Sequence, residues 1–178
     1  LEHLSSRLKT IPIIDEIMLA TTINPQDQPL VDEAKKNDIG VFRGDEDNVM
    51  QRVIGAAESS GADVIVEITG DCPIIDPAVV EESIKIYLKN DYDYVSNARI
   101  RSYPDGMDTQ VFSLETLKKS YSMTQSKLDY EHVTLHIRNN PILKLNNCDL
   151  STKPFINLSQ FKTNNSLSLI HISEPTRR

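Results

Sequence analysis

What most limits the folds open to this chain is how short apolar runs and helix-period segments take turns along it. Val64-Ile65-Val66 is a run of β-branched residues, the kind that packs well on a pleated surface. Before it, from Asp47 to Ser60, Val49, Met50, Val53, Ile54 and Ala57 recur at three and four residues, the spacing of one helix face. Asp45 or Asp47 suits the start of that helix and Gly61 its end. After the run, Asp76-Pro77 supplies a cap and a first-turn proline for a helix bearing Val80, Ile84, Tyr87 and Leu88. The same exchange continues in both directions. Upstream lie a helix over Glu2 to Leu8, a strand from Glu16 to Ala20, a helix opened by Pro29, and a brief strand at Val41-Phe42. Downstream, strands are predicted near Tyr92 to Ser96 and Thr109 to Phe112. Helices are predicted after Ser113, with Leu114 and Leu117, and from Asp129, with Val133 and Ile137. Alternation with connections long enough for crossovers predicts an α/β domain, its mainly parallel sheet covered on both faces.

Composition narrows the function. A length of 178 residues fits one domain and leaves no room for two full ones. Nineteen Lys and Arg against 26 Asp and Glu give a net charge of −7, which argues against a broad nucleic-acid footprint. An anionic substrate would need cations placed locally. Cys72 and Cys148 lie far apart with no Cys-x-x-Cys spacing, so neither a disulfide framework nor a zinc site is expected. No apolar run approaches the roughly 20 residues of a membrane span, and Leu1-Glu2-His3-Leu4 does not open a signal segment. Leu167 to Arg177 resembles the in-frame translation of a sequencing adapter. Residues 166–178 are therefore expected to be an adapter-derived or disordered tail outside the fold, leaving 1–165 as the domain.

Three groups of residues could carry chemistry. Asp71 follows the Val64–Thr69 run at the carboxyl end of a predicted strand, the edge outside which ligands bind in open α/β sheets. A carboxylate there could hold the magnesium of a nucleotide substrate, or serve only as a turn residue. Asp76, ahead of Pro77, reads as a cap. Arg43 and Arg52 flank the acidic loop Asp45-Glu46-Asp47, and either could meet a phosphate or simply pair with the neighbouring carboxylates. His132 and His136 stand four apart on the helix predicted from Asp129, one face of which could be a polar pocket wall. The zinc-protease order is missing and no third ligand is spaced to help. Ser5-Ser6-Arg7-Leu8-Lys9 contains no glycine and reads as a helix end rather than a phosphate loop.

Several strings taken together resemble the cytidylyltransferases of spore-coat and cell-envelope polysaccharide synthesis, whose wider relatives activate acylneuraminate and ketodeoxyoctonate sugars. The matching pieces are Ile14 to Thr22, Val41-Phe-Arg-Gly44 with Asp47 to Arg52, Ile68-Thr-Gly-Asp-Cys-Pro-Ile-Ile-Asp-Pro77, Tyr94-Val-Ser-Asn97, Tyr103-Pro-Asp-Gly-Met-Asp108 and Glu131-His-Val-Thr134. The resemblance covers Leu1 to about Asn140. It implies a Rossmann-like nucleotide-diphospho-sugar transferase domain, with Mg2+ held by Asp71 as the catalytic carboxylate. Thr21, Thr22, Arg43, Gly44, Asp47 and Arg52 would lie on the nucleotide side, and Asp105, Asp108, Glu131 and His132 on the sugar side. The implied partners are CTP and a small sugar, with no nucleic acid and no membrane, and a homodimer is left open. The implied reaction is attack by a sugar hydroxyl on the α-phosphate of CTP, in the cytoplasm, giving a CMP-sugar and pyrophosphate.

Two departures from the family pattern bear on this. The opening Arg-x-x-Ser-x-Arg-Leu-Pro-x-Lys loop that holds the triphosphate does not occur, and Asn147 to Asn165 lacks the closing Arg-x-Thr-x-Asp segment. The chain is therefore expected to be a fragment truncated at both ends, inactive alone and marginally folded, with a central strand missing and its neighbours unpaired. Two rival readings stand beside this one. One is a glycosyltransferase using a ready-made nucleotide sugar on a related fold; the other is a non-catalytic partner in polysaccharide assembly.

Overall fold

The computed structural model describes residues 1–100, 103–147 and 167–172. Cys148 and the rest of the segment that lacks the closing motif, residues 148–165, lie outside them, as do residues 173–178. The chain opens with helix α1 (Glu2–Leu8), strand β1 (Glu16–Thr22), helix α2 (Gln28–Lys36), strand β2 (Gly40–Gly44), helix α3 (Val49–Ser60) and strand β3 (Val64–Thr69). Next come helix α4 (Pro77–Lys89), strands β4 (Tyr94–Ser96) and β5 (Gln110–Ser113), and helices α5 (Leu114–Met123), α6 (Lys127–Glu131) and α7 (Leu135–Asn139). Strands β6 (Leu145–Asn147) and β7 (Leu167–Ile172) complete the described elements.

Among the described residues the strands form one sheet in the order β2-β1-β7-β3-β5-β4-β6. All neighbours are parallel except β5, which runs against both β3 and β4. The expected mainly parallel sheet with helices on both faces is what the chain forms. Strand alternation sorts the core into two layers. Ile17 and Leu19 of β1 join Val64, Val66 and Ile68 of β3 in a layer covered by Leu4 and Leu8 of α1, Ala34 of α2 and Val80 and Ile84 of α4. Met18 and Ala20 join Ile65, Tyr94 and Phe112 on the other face, under Met50, Val53 and Ala57 of α3 and Leu117 of α5. Burial on both faces is why these strands read as continuous apolar runs.

The helix ends follow local chemistry. Gly61 closes α3 at φ 66°, a left-handed position open to glycine, while Asp76 and Ser113 cap α4 and α5 by accepting from Ala78 N and Thr116 N. One start differs from expectation. The cap of α3 is Asn48, which accepts from Gln51 N at 3.0 Å, whereas Asp45 Oδ1 accepts from the amides of Asp47 and Asn48 and shapes the turn before it.

Two larger departures concern whole elements. The helix expected from Asp129 is broken into α6 and α7 at Val133, a buried β-branched residue at φ 30°. Asp129 lies inside α6, where its Oδ2 accepts from Thr124 Oγ1. The break is held by Thr134 Oγ1, which donates to Gln110 Oε1 at 2.6 Å, so a tertiary bond overrides a helical period. Leu167–Ile172, expected to stand outside the fold, is the strand between β1 and β3 and pairs with both. The unpaired neighbours expected in the sheet are therefore not found. Two parallel strands held apart present two rows of unmet backbone groups, and a six-residue extended run satisfies both at once.

Candidate functional site

Because β1, β2 and β3 are parallel, their carboxyl ends share one edge of the sheet, where Asp71 and the residues predicted for the nucleotide side gather. At the end of β1, Thr21 and Thr22 are fully buried. Both hydroxyls donate to Asp27 Oδ2, at 2.8 and 2.6 Å, and the Thr22 amide joins them at 3.1 Å. Burial pushes the Asp27 carboxyl up. The bonds from Thr22 and Thr21 and the charge of Arg43 outweigh that and leave it below the usual carboxylate value.

Arg43, on the neighbouring strand β2, crosses to the same connection. Its Nε donates to Thr22 O at 2.8 Å, Nη2 to Asn24 O at 2.8 Å and Nη1 to Gln28 Oε1 at 2.9 Å. Arg52 is 1% exposed, and its Nη1 donates to the carbonyls of Asp45 at 2.6 Å and Glu46 at 3.3 Å. The two arginines thus brace the loops at this edge through backbone oxygens. Gly44 sits against Arg52, where an added Cβ would stand 3.2 Å from Cγ. Asp47 is exposed on the acidic loop, and Asn24 Nδ2 donates across to Glu46 Oε2 at 2.7 Å. Asp27 is the residue that sequence reasoning passed over. Its signal was an aspartate a few residues after a strand ending in two threonines.

At the end of β3 the chain turns through Gly70-Asp71. Asp71 is exposed, and its Oδ1 accepts from Thr69 Oγ1 at 2.5 Å. It lines a pocket of about 370 Å³ with Thr69, Cys72, Asp105, Gly106 and Asp108. Three of the predicted carboxylates, Asp71 and the distant loop pair Asp105 and Asp108, therefore line one hollow. Gly106 turns the loop that brings two of them there, at φ 87°. Cys72 is buried, which pushes its thiol up. A bond with Thr69 opposes that shift, and the charges of Asp71 and Asp108 add to it. A thiol held protonated is a poor nucleophile.

The remaining candidates stand elsewhere. Glu131 and His132 are exposed at the end of α6 and do not line the pocket. The helix break between α6 and α7 separates His132 from His136, whose Nδ1 lies 2.8 Å from Ser120 Oγ. Among the described residues no three His, Cys, Asp or Glu side chains converge to hold a metal ion unaided. Asp71 nevertheless offers hard carboxylate oxygens. That suits Mg2+, which usually takes one or two carboxylates and completes its shell with substrate phosphates and water.

The sequence profile of the cytidylyltransferases matches residues 1–172. The chain belongs to that family. It is 37% identical over 143 residues to an uncharacterized protein of Methanocaldococcus jannaschii, an alignment taking in 80% of this chain and 58% of the relative. It is 33% identical over 132 residues to the spore coat polysaccharide biosynthesis protein SpsF of Bacillus subtilis, with 72% and 53% covered. The chain thus spans somewhat over half the length of these curated relatives. Among solved structures, a cytidylyltransferase from Leptospira borgpetersenii superposes with a TM-score of 0.79 at 30% identity, over 83% of this chain and 63% of that one. The 4-diphosphocytidyl-2C-methyl-D-erythritol synthase of Anaerococcus prevotii shares the fold, with a TM-score of 0.53 at 13% identity over 88% and 83%. No helix among the described residues is long and apolar enough to cross a membrane.

Proposed function

We propose that the whole protein is a magnesium-dependent cytidylyltransferase that activates a sugar for cell-surface polysaccharide synthesis in the cytoplasm. The observation that carries this is the exposed Asp71 carboxylate at the carboxyl end of β3, lining a pocket with Asp105 and Asp108, in a chain of this family. In this reading a sugar hydroxyl oxygen bonds to the α-phosphorus of CTP and gives up its proton to water, as the bond to the bridging β-phosphate oxygen breaks and pyrophosphate leaves. Bound Mg2+ would supply electrostatic stabilisation of the phosphate oxygens. Asp71 would hold it, oriented by the bond from Thr69. Asp105 and Asp108 accept hydrogen bonds from sugar hydroxyls, Asp108 also adding its negative charge to the pocket in which Asp71 would hold the cation, and Glu131 and His132 serve only a sugar long enough to extend beyond the pocket lining.

On the nucleotide side, Thr21, Thr22, Arg43, Gly44, Asp47 and Arg52 shape the edge where the nucleotide lies. Arg43 and Arg52 do so by fixing loop backbones, Arg43 donating to the Thr22 and Asn24 carbonyls and to Gln28, and Arg52 to the carbonyls of Asp45 and Glu46.

The test is pyrophosphate release from CTP in the presence of candidate sugars. Asp71→Asn in the whole protein is expected to lower it by at least about 100-fold, in keeping with the loss of a metal-holding carboxylate. Full release from that variant would overturn the assignment. Transfer from a ready-made nucleotide sugar, with no release from CTP, would point to a glycosyltransferase instead.

A further inference from the structure

We propose that Asn97, which does not line the pocket, is the positioning residue that sets Asp108 opposite Asp71. Asn97 follows directly on β4 and is 2% exposed. Its side-chain Nδ2 donates to the Met107 carbonyl at 2.7 Å, and its Oδ1 accepts from the Thr109 amide at 2.8 Å. Its own backbone amide donates to Thr109 O at 3.3 Å. One buried amide group therefore grips the chain immediately before and immediately after Asp108.

The grip is specific to this side chain. Holding a carbonyl and an N–H together takes one donor and one acceptor on the same group, which among short side chains asparagine provides. Aspartate would turn a carboxylate oxygen toward the Met107 carbonyl, and serine would fall short of spanning both. The staple is itself set by its neighbour, because Ser96 Oγ accepts from Ala98 N at 3.0 Å and fixes the backbone on which Asn97 stands. Burial keeps water from competing for these bonds and strengthens them.

What the staple holds is an outward-facing loop. Pro104 and Asp105 are exposed, and Gly106 turns the chain at a positive φ. Loops of this kind open locally at small free-energy cost unless tied down. Asp71 reaches the pocket from β3, while Asp108 reaches it only along this loop, so the separation of the two carboxylates depends on where Asn97 holds residues 107–109. The inference rests on reading the pocket as the reaction site, and its test has one arm that needs no ligand.

In that arm, amide exchange is followed by NMR in the full chain and in Asn97→Leu, which keeps the branched shape and removes both bonds. Exchange at Thr109 is expected to rise at least about tenfold while Val66 and Val95 in the sheet keep their protection, the signature of local opening. In the second arm, Mn2+ stands in for Mg2+ and its uptake is read by electron paramagnetic resonance. Asn97→Leu and Asp108→Asn are each expected to weaken uptake by about three- to tenfold, with the double variant no weaker than Asp108→Asn alone. Unchanged exchange at Thr109, or an equal rise through the whole sheet, would overturn the proposal, as would additive losses in the double variant. If the unaltered chain takes up no Mn2+, the reading of the pocket as a cation site fails, and exchange at Thr109 still decides the role of Asn97. Should Asn97→Leu not fold, Asn97→Ser, which leaves room for water, is measured in the same way.

Discussion

Asp27 shows how a single carboxylate can organise a site it does not enter. It gathers the ends of β1 through Thr21 and Thr22, and Arg43 ties the following turn to the same place. Its depressed pKa means that its stabilising contribution is complete above the ordinary value of 3.8 and is lost as the pH falls through the folded-state value beneath it. Asp27→Asn is expected to cost about 1–3 kcal/mol at neutral pH, the scale of hydrogen bonds to a charged group. The gap between variant and parent in thermal denaturation should close as the pH drops below 3.8. A gap that stays constant to pH 2 would show that the carboxylate charge is not the cause. At this scale the sequence was legible where chemistry is local. Asp71 could be placed at a strand end because Val64 to Gly70 announces the strand. The arginines could not be assigned, because their partners are backbone carbonyls brought near by folding, and a sequence displays charges but not the oxygens they will meet.

At the scale of elements, α3 meets β2 through a fitted contact. Phe42 of β2 lies over Gly55 of α3, where a Cβ would come within 2.3 Å of the ring Cζ. Gly55→Ala is expected to destabilise the fold by about 1–3 kcal/mol, the usual cost of overpacking. Phe42→Leu in the same chain should recover part of that loss, which a double-mutant cycle in urea would measure. Independent losses would place the strain elsewhere. Most elements were readable from period and caps, as with Asp76-Pro77 opening α4 and Gly61 closing α3. The break between α6 and α7 was not. Val133 and Ile137 keep helical spacing and both are buried, yet Val133 adopts φ 30° while Thr134 reaches Gln110. Tyr94 Oη donates to the same Gln110 oxygen, and burial pushes its phenol up to about 12, so it remains a donor throughout the physiological range. Nothing within residues 127–139 announces a bond that β5 supplies.

For the molecule as a whole, the decisive element is β7. It stands between β1 and β3, so among the described residues β2 and β1 join the rest of the hydrogen-bonded sheet only through it. The alternation of elements foretold the sheet's type. It could not show that a run 145 or more residues beyond β1, such as Ser168 against Glu16, would complete it, because pairing across such distances leaves no local pattern. A chain ending at residue 166 is expected to lose the cooperative thermal transition of the full chain, which circular dichroism on heating would record. Equal cooperativity in both would mean that β7 contributes little. The position of β7 also bears on synthesis. A ribosome emits residues in order, at about 5–20 per second. The two halves of the sheet must therefore wait, each with an open backbone row, until the segment that unites them has left the exit tunnel. During that interval the two open rows are edges on which another extended segment could pair.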